Sequence, residues 1–157
     1  MTSYAKTILQ SYKALVPLTM QIEEIIKAKA KNSFYNFSST EILAEKILAL
    51  IEAMKILIEL KDVVDRALSK LTQRDKILID YKYFGVTPSG EFDHTSRKYY
   101  RMQVRALKNF CQALEGLGVT KEWFENNCLK IAYISQIHKM VTLKQRSKVK
   151  SEKEDVK

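Results

Sequence analysis

Glycine and proline are nearly absent from this sequence: 157 residues contain 4 of the first and 2 of the second. A many-stranded fold needs both at its turns, so their shortage points to helices joined by few connectors. Cysteine is as scarce. Two residues, Cys111 and Cys128, are too few for a disulfide framework. Both sit in helical, partly apolar contexts, the ordinary place of a buried free thiol. The two histidines, His94 and His138, are far apart, and neither has cysteine or carboxylate neighbours at zinc-ligand spacing. Asp93 adjoins His94, but no nucleophile setting accompanies the pair, which reads as a turn and a helix flank. No glycine-rich phosphate loop is present. Glu23, Glu24, Glu41, Glu45 and Glu52 fall on helix faces and read as solubilising. The chain is therefore expected to be no enzyme, with no metal and no cofactor. It has no apolar run of membrane-spanning length, and its start lacks the basic and apolar stretches of a signal peptide. A cytoplasmic protein with no membrane partner is expected.

What the sequence does hold is apolar periodicity and positive charge. Hydrophobic residues make up 46%, enough for a modest core. Lysine and arginine number 27 against 18 acidic residues, a net charge of +9, which favours an anionic partner.

The pattern predicts an all-α fold. In the first helix Ile8, Tyr12 and Leu15 share a face, continued by Leu18, Ile22, Ile25 and Ile26, and Pro17 is expected to kink or split it. Phe34, Tyr35 and Phe37 in the connector read as caps on the core beneath, with a small exposed recognition cluster as the alternative. Ser38 and Glu41 offer a capping box for the second helix. There Leu43, Ile47, Leu50, Met54, Leu57, Val64, Leu68 and Leu71 step alternately by four and three, with Lys61 the one polar break. This is a heptad seam, widened by Ile51, Ile58, Leu60 and Val63. The first helix can lie antiparallel along it, giving a helical hairpin over 1–70. A second copy of the chain is a candidate partner for the same surface.

From Leu71 the pattern changes. Thr72 and Asp75 open a helix whose inward face reads as Ile77, Leu78, Tyr81 and Phe84, with Gly85 placed to stop it. A loop with Pro88 and Gly90 follows. "HTSRKYYRMQVRALKNF", His94 to Phe110, then carries Arg97, Lys98, Arg101, Arg105 and Lys108 and no acidic residue. Asp93, Thr95 or Ser96 can cap it. Tyr100, Val104, Leu107, Cys111 and Leu114 read as its apolar stripe, with the cations displaced to one side. A solvated face normally mixes both signs of charge, and this one does not. Gly116 and Gly118 end the helix. A short helix capped by Thr120 brings Trp123 and Phe124 to the core. A last helix lines up Ile131, Ile134, Ile137 and Val141. The polar stretch 144–157 is expected to be disordered.

Two segments, "LTQRDKILIDYKYFG" and "TSRKYYRMQVRALKNF", together resemble the C-terminal, −35-reading helix-turn-helix domain of bacterial sigma factors and related phage transcription regulators. Leu71, Thr72, Arg74, Asp75, Tyr83, Phe84 and Gly85 carry the first part of the likeness. Ser96, Arg97, Arg105, Ala106, Leu107 and Lys108 carry the second. It covers roughly residues 70–112. The family places a further helix between the two motifs; here only "VTPSGEFDHT" stands there, read as a shortened middle helix. No part of the chain matches the separate sigma domain that binds core polymerase. The resemblance implies a helix-turn-helix-like unit over 71–143, a role in transcription regulation, duplex DNA as partner, and RNA polymerase as a further one.

The expected function is thus that of a sigma-like DNA-binding regulator without catalytic activity. Ser96, Arg97, Lys98 and Arg101 would meet bases or nearby phosphates, and Tyr99, Arg105 and Lys108 would hold the backbone. The alternatives are a helical adaptor that works through the 40–71 helix, and an RNA-binding protein.

Overall fold

A computed structural model describes residues 2–32, 40–87 and 95–154. Among these residues there are six helices and no strand: α1 (Ser3–Asn32), α2 (Thr40–Ser69), α3 (Gln73–Phe84), α4 (Arg97–Gly116), α5 (Lys121–Asn127) and α6 (Ala132–Glu154). The fold is all-α, as the glycine and proline shortage predicts. Phe34, Tyr35, Phe37, Ser38, Pro88, Gly90, Asp93 and His94 lie outside the described residues, and so does most of the shortened segment between the two sigma-like motifs.

The chain separates into two units, and the division does not fall at residue 70. One unit is Tyr12–Asp62; the other joins Met1–Ser11 to Val63–Lys157. Both long helices contribute to both units. In the smaller unit the Lys61 ammonium stands 5.0 Å over the Tyr12 ring. This cation–π contact accounts for the one polar break in the seam, because the lysine stem lies on the apolar face while its charge meets an aromatic ring. Leu57 and Leu60 are fully buried, whereas Leu43, Ile47, Leu50 and Met54 are half-buried. Ile58 points to solvent and does not widen the stripe.

Pro17 neither splits nor ends α1, which runs unbroken through it. Proline removes one N–H, so one carbonyl a turn earlier loses its helical partner. Lys13 and Pro17 are both exposed, so this turn lies at the surface.

In the larger unit the core is built from both ends of the chain. Tyr4, Ile8 and Leu9 of α1 are buried together with Val63, Val64, Ala67 and Leu68 of α2. Leu78 and Ile79 of α3, Phe110 and Leu114 of α4, Phe124 of α5 and Ile134 of α6 complete it. The Tyr4 hydroxyl is 3.1 Å from the Cys111 thiol and 3.4 Å from Glu115 Oε1, and its ring packs 5.9 Å from that of Phe124. Both cysteines are buried and neither forms a disulfide. The disorder expected from residue 144 is not found through Glu154, because α6 continues to that residue. Lysine, glutamine, arginine and glutamate all favour helix, and no glycine or proline interrupts them.

Candidate nucleic-acid interface

The site begins with two capped helices. Thr72 is the N-cap of α3, and its hydroxyl accepts the Asp75 N–H at 3.2 Å. At the other end Gly85 takes a left-handed conformation, φ 67°, and the N–H groups of Gly85 and Val86 both donate to the Asp80 carbonyl. This is the usual glycine closure of a helix. Of the three candidate caps for α4, Ser96 does the work: its hydroxyl accepts the Tyr99 N–H at 3.1 Å.

Three contacts hold α4 against α3. The Gln103 amide donates to the Leu78 carbonyl at 2.7 Å and to the Tyr99 hydroxyl at 2.9 Å. The Asn109 amide donates to Asp75 Oδ2 at 2.7 Å. The Tyr99 ring meets that of Tyr81 edge-on, with centroids 6.1 Å apart. Residue numbers rise along α4 as they fall along α3, so the two helices run antiparallel. Asp75 is 2% exposed, and its other carboxylate oxygen has no hydrogen-bond partner.

These contacts fix which face of α4 turns outward. Gln103, Ala106, Leu107, Phe110, Cys111 and Leu114 are buried. Tyr100 and Val104 are not, being 61% and 68% exposed; the apolar stripe predicted through them is incorrect at its first two positions. The reason is Gln103. Two hydrogen bonds satisfy its amide in the interior, so a polar side chain occupies the inward position that hydrophobicity alone assigns to valine. In α3, likewise, Ile79 is buried and Ile77 exposed.

Arg97, Lys98, Arg101, Arg105 and Lys108 are all exposed, and none pairs with a carboxylate among the described residues. At about 3.6 residues per turn, Arg97, Lys108 and Arg101 lie at the centre of one arc. Tyr100 and Val104 form one edge of that arc, and Arg105 and Lys98 the other. From Arg97 to Lys108 the arc extends roughly 16 Å along the helix. The structure thus brings five of the seven predicted contact residues onto one open face. The other two have internal duties. Ser96 caps the helix, and Tyr99 is half-buried, its hydroxyl accepting from Gln103. Burial raises the Tyr99 pKa, with the Gln103 hydrogen bond opposing, and burial raises that of Tyr83 to about 12.

Sequence reasoning missed Gln103, Asn109 and the burial of Asp75. A signal existed for one of them: asparagine is a weak helix former, and its place among apolar residues late in α4 suggests a tertiary partner.

Among the described residues no cluster of three or more histidine, cysteine, aspartate or glutamate side chains could hold a metal ion. None of the described helices is long and apolar enough to cross a membrane. No protein-family model, curated protein or solved structure matches this chain.

Proposed function

We propose that the chain is a sigma-like, DNA-binding transcription regulator and that α4 is its groove-entering helix. One observation carries the reading: the exposed arc of Arg97, Arg101, Arg105 and Lys108 makes no ion pair with any described residue. A cation with an internal partner serves the fold, whereas a row of unpartnered cations on a braced helix is available to phosphate. The bracing supports the same reading, since a helix that reads bases must be held at a set angle to the duplex. Arg97, Lys98 and Arg101, on the first turns, would meet base edges and the nearest phosphates. Arg105 and Lys108 would contact backbone further along. Ser96 and Tyr99 would position the helix. RNA polymerase is the second partner this reading names.

The test is a binding titration on duplex DNA across a range of salt, with wild type and an Arg97→Ala, Arg101→Ala, Arg105→Ala variant. Each lost phosphate contact reduces the slope of log affinity against log salt by about 0.9. A variant that binds as tightly as wild type at every salt concentration overturns the reading.

The smaller unit supports a second reading. Its half-buried seam, Leu43, Ile47, Leu50 and Met54, suits self-association in an adaptor-type protein. A sedimentation experiment that finds only monomer at high concentration removes it.

A further inference from the structure

Val104 and Tyr100 are the apolar side chains that α4 leaves in solvent, at 68% and 61% exposure. Neither folding nor solubility accounts for Val104. A β-branched residue is a mediocre helix former, and at an exposed position it gains nothing from packing. Its surroundings are specific. Along α4 it follows Arg97 and Arg101 and precedes Arg105 and Lys108, all exposed. It lies on the outward arc and within the first turns of the helix, the part that reaches base edges when a helix enters the major groove.

The major groove presents hydrogen-bond donors and acceptors at every base pair, and one apolar group, the 5-methyl of thymine. An apolar side chain set among arginines on a groove-entering helix therefore has one complement there. Double-stranded RNA does not offer it, because its major groove is too narrow for a helix and uracil lacks the methyl group.

We infer that Val104, with Tyr100 beside it, reads a thymine methyl group in the major groove, so that the target of α4 is a thymine-containing DNA duplex. This rests on the DNA-binding reading above. Val104 is the primary contact. The Tyr100 ring, packed 5.6 Å from that of Tyr99, shields the same point from water.

The experiment uses the full chain. Duplexes retained from a random DNA pool are identified, and the tightest is remade with each thymine replaced in turn by deoxyuridine, which deletes only the methyl group. One position is expected to lose about fourfold in affinity, the worth of one buried methyl. Val104→Ala is expected to bind the deoxyuridine and thymine duplexes equally, with an unchanged salt slope, and Val104→Ile to keep the difference. Position 104 is exposed, so these variants fold, and circular dichroism verifies it. Tight duplex binding with no deoxyuridine penalty at any position overturns this inference and leaves the DNA reading standing. So does a penalty that survives in Val104→Ala. A chain that retains no duplex, or prefers RNA, overturns the DNA reading and this inference together.

Discussion

The Asn109 side chain donates a 2.7 Å hydrogen bond to a carboxylate, that of Asp75, which is almost wholly buried. It ties the second half of α4 to the first turn of α3. Asn109→Ala would leave both oxygens of that carboxylate without a side-chain donor, since the other already lacks a partner. An unsatisfied buried polar group costs about 1–3 kcal/mol. The variant should unfold at lower denaturant concentration by that amount. A double-mutant cycle with Asp75→Ala should give a clear coupling energy; additive effects would show that the contact does not brace α4.

Gly85 and Gly116 should respond to alanine in opposite directions. Gly85 has φ 67°, where a β-carbon is strained by about 1–2 kcal/mol. Gly116 is helical, and a β-carbon there would meet nothing within 4 Å. Gly85→Ala is thus expected to lower the melting temperature. Gly116→Ala should raise it slightly, by about 0.4–1 kcal/mol of stability. Thermal unfolding of both variants checks the pair.

Ser96→Ala should cost about 1 kcal/mol, the usual worth of an N-cap hydroxyl. Ser96→Asp keeps a capping oxygen and suits the positive end of the helix dipole, so its stability should stay near wild type. It also places a negative charge beside Arg97. On the DNA-binding reading, Ser96→Asp should bind duplex more weakly than wild type although it is no less stable. Equal affinity would place Ser96 away from the phosphates.

His138 predicts a pH dependence of stability. The Thr7 hydroxyl lies 2.9 Å from the Ser3 carbonyl and 2.9 Å from His138 Nδ1, so the ring is held against α1. Burial lowers the His138 pKa from its ordinary 6.5; nearby Glu125 opposes the shift and Lys121 adds to it. A depressed folded-state pKa means that the unfolded chain binds the proton more readily. The contribution is complete above about pH 6.5 and is lost as pH falls through the lower folded value. Melting temperature should therefore drop between pH 7.5 and 5, and His138→Gln should flatten part of that drop. Parallel profiles for the two proteins would exclude His138 as a source.

Much of this was legible in the residues. Thr72, Ser96 and Gly85 work locally, through a cap and a left-handed turn, and each stands where its chemistry predicts. The outward turn of Tyr100 and Val104 was not legible, because it depends on a glutamine buried by one hydrogen bond to another helix and one within its own. Hydrophobic periodicity cannot register such a residue. The division of the chain was equally hidden, since α1 and α2 pass through it with no glycine to mark it, and the one proline nearby, Pro17, lies a turn or more beyond the Ser11–Tyr12 boundary. For the exposed cations the sequence showed charge and spacing; that none pairs with a carboxylate among the described residues needed coordinates.

The pairing of the first turns of α1 with the C-terminal helices bears on how the chain is made. Tyr4 and Cys111 are 107 residues apart, and Thr7 and His138 are 131 apart. On the ribosome, the Tyr4–Leu9 stretch emerges before α4 and α6, and its hydrogen-bonding partners Cys111 and His138 follow only when those helices have been synthesised. Until then Tyr4, Ile8 and Leu9 can meet only part of their core, including Val63, Val64, Ala67 and Leu68 of α2. Closing so wide a loop is slow, because its entropy cost precedes the contacts that offset it. Between the synthesis of α1 and that of α4 and α6, the apolar face of Tyr4, Ile8 and Leu9 is thus only partly covered, a state in which chaperones would find it.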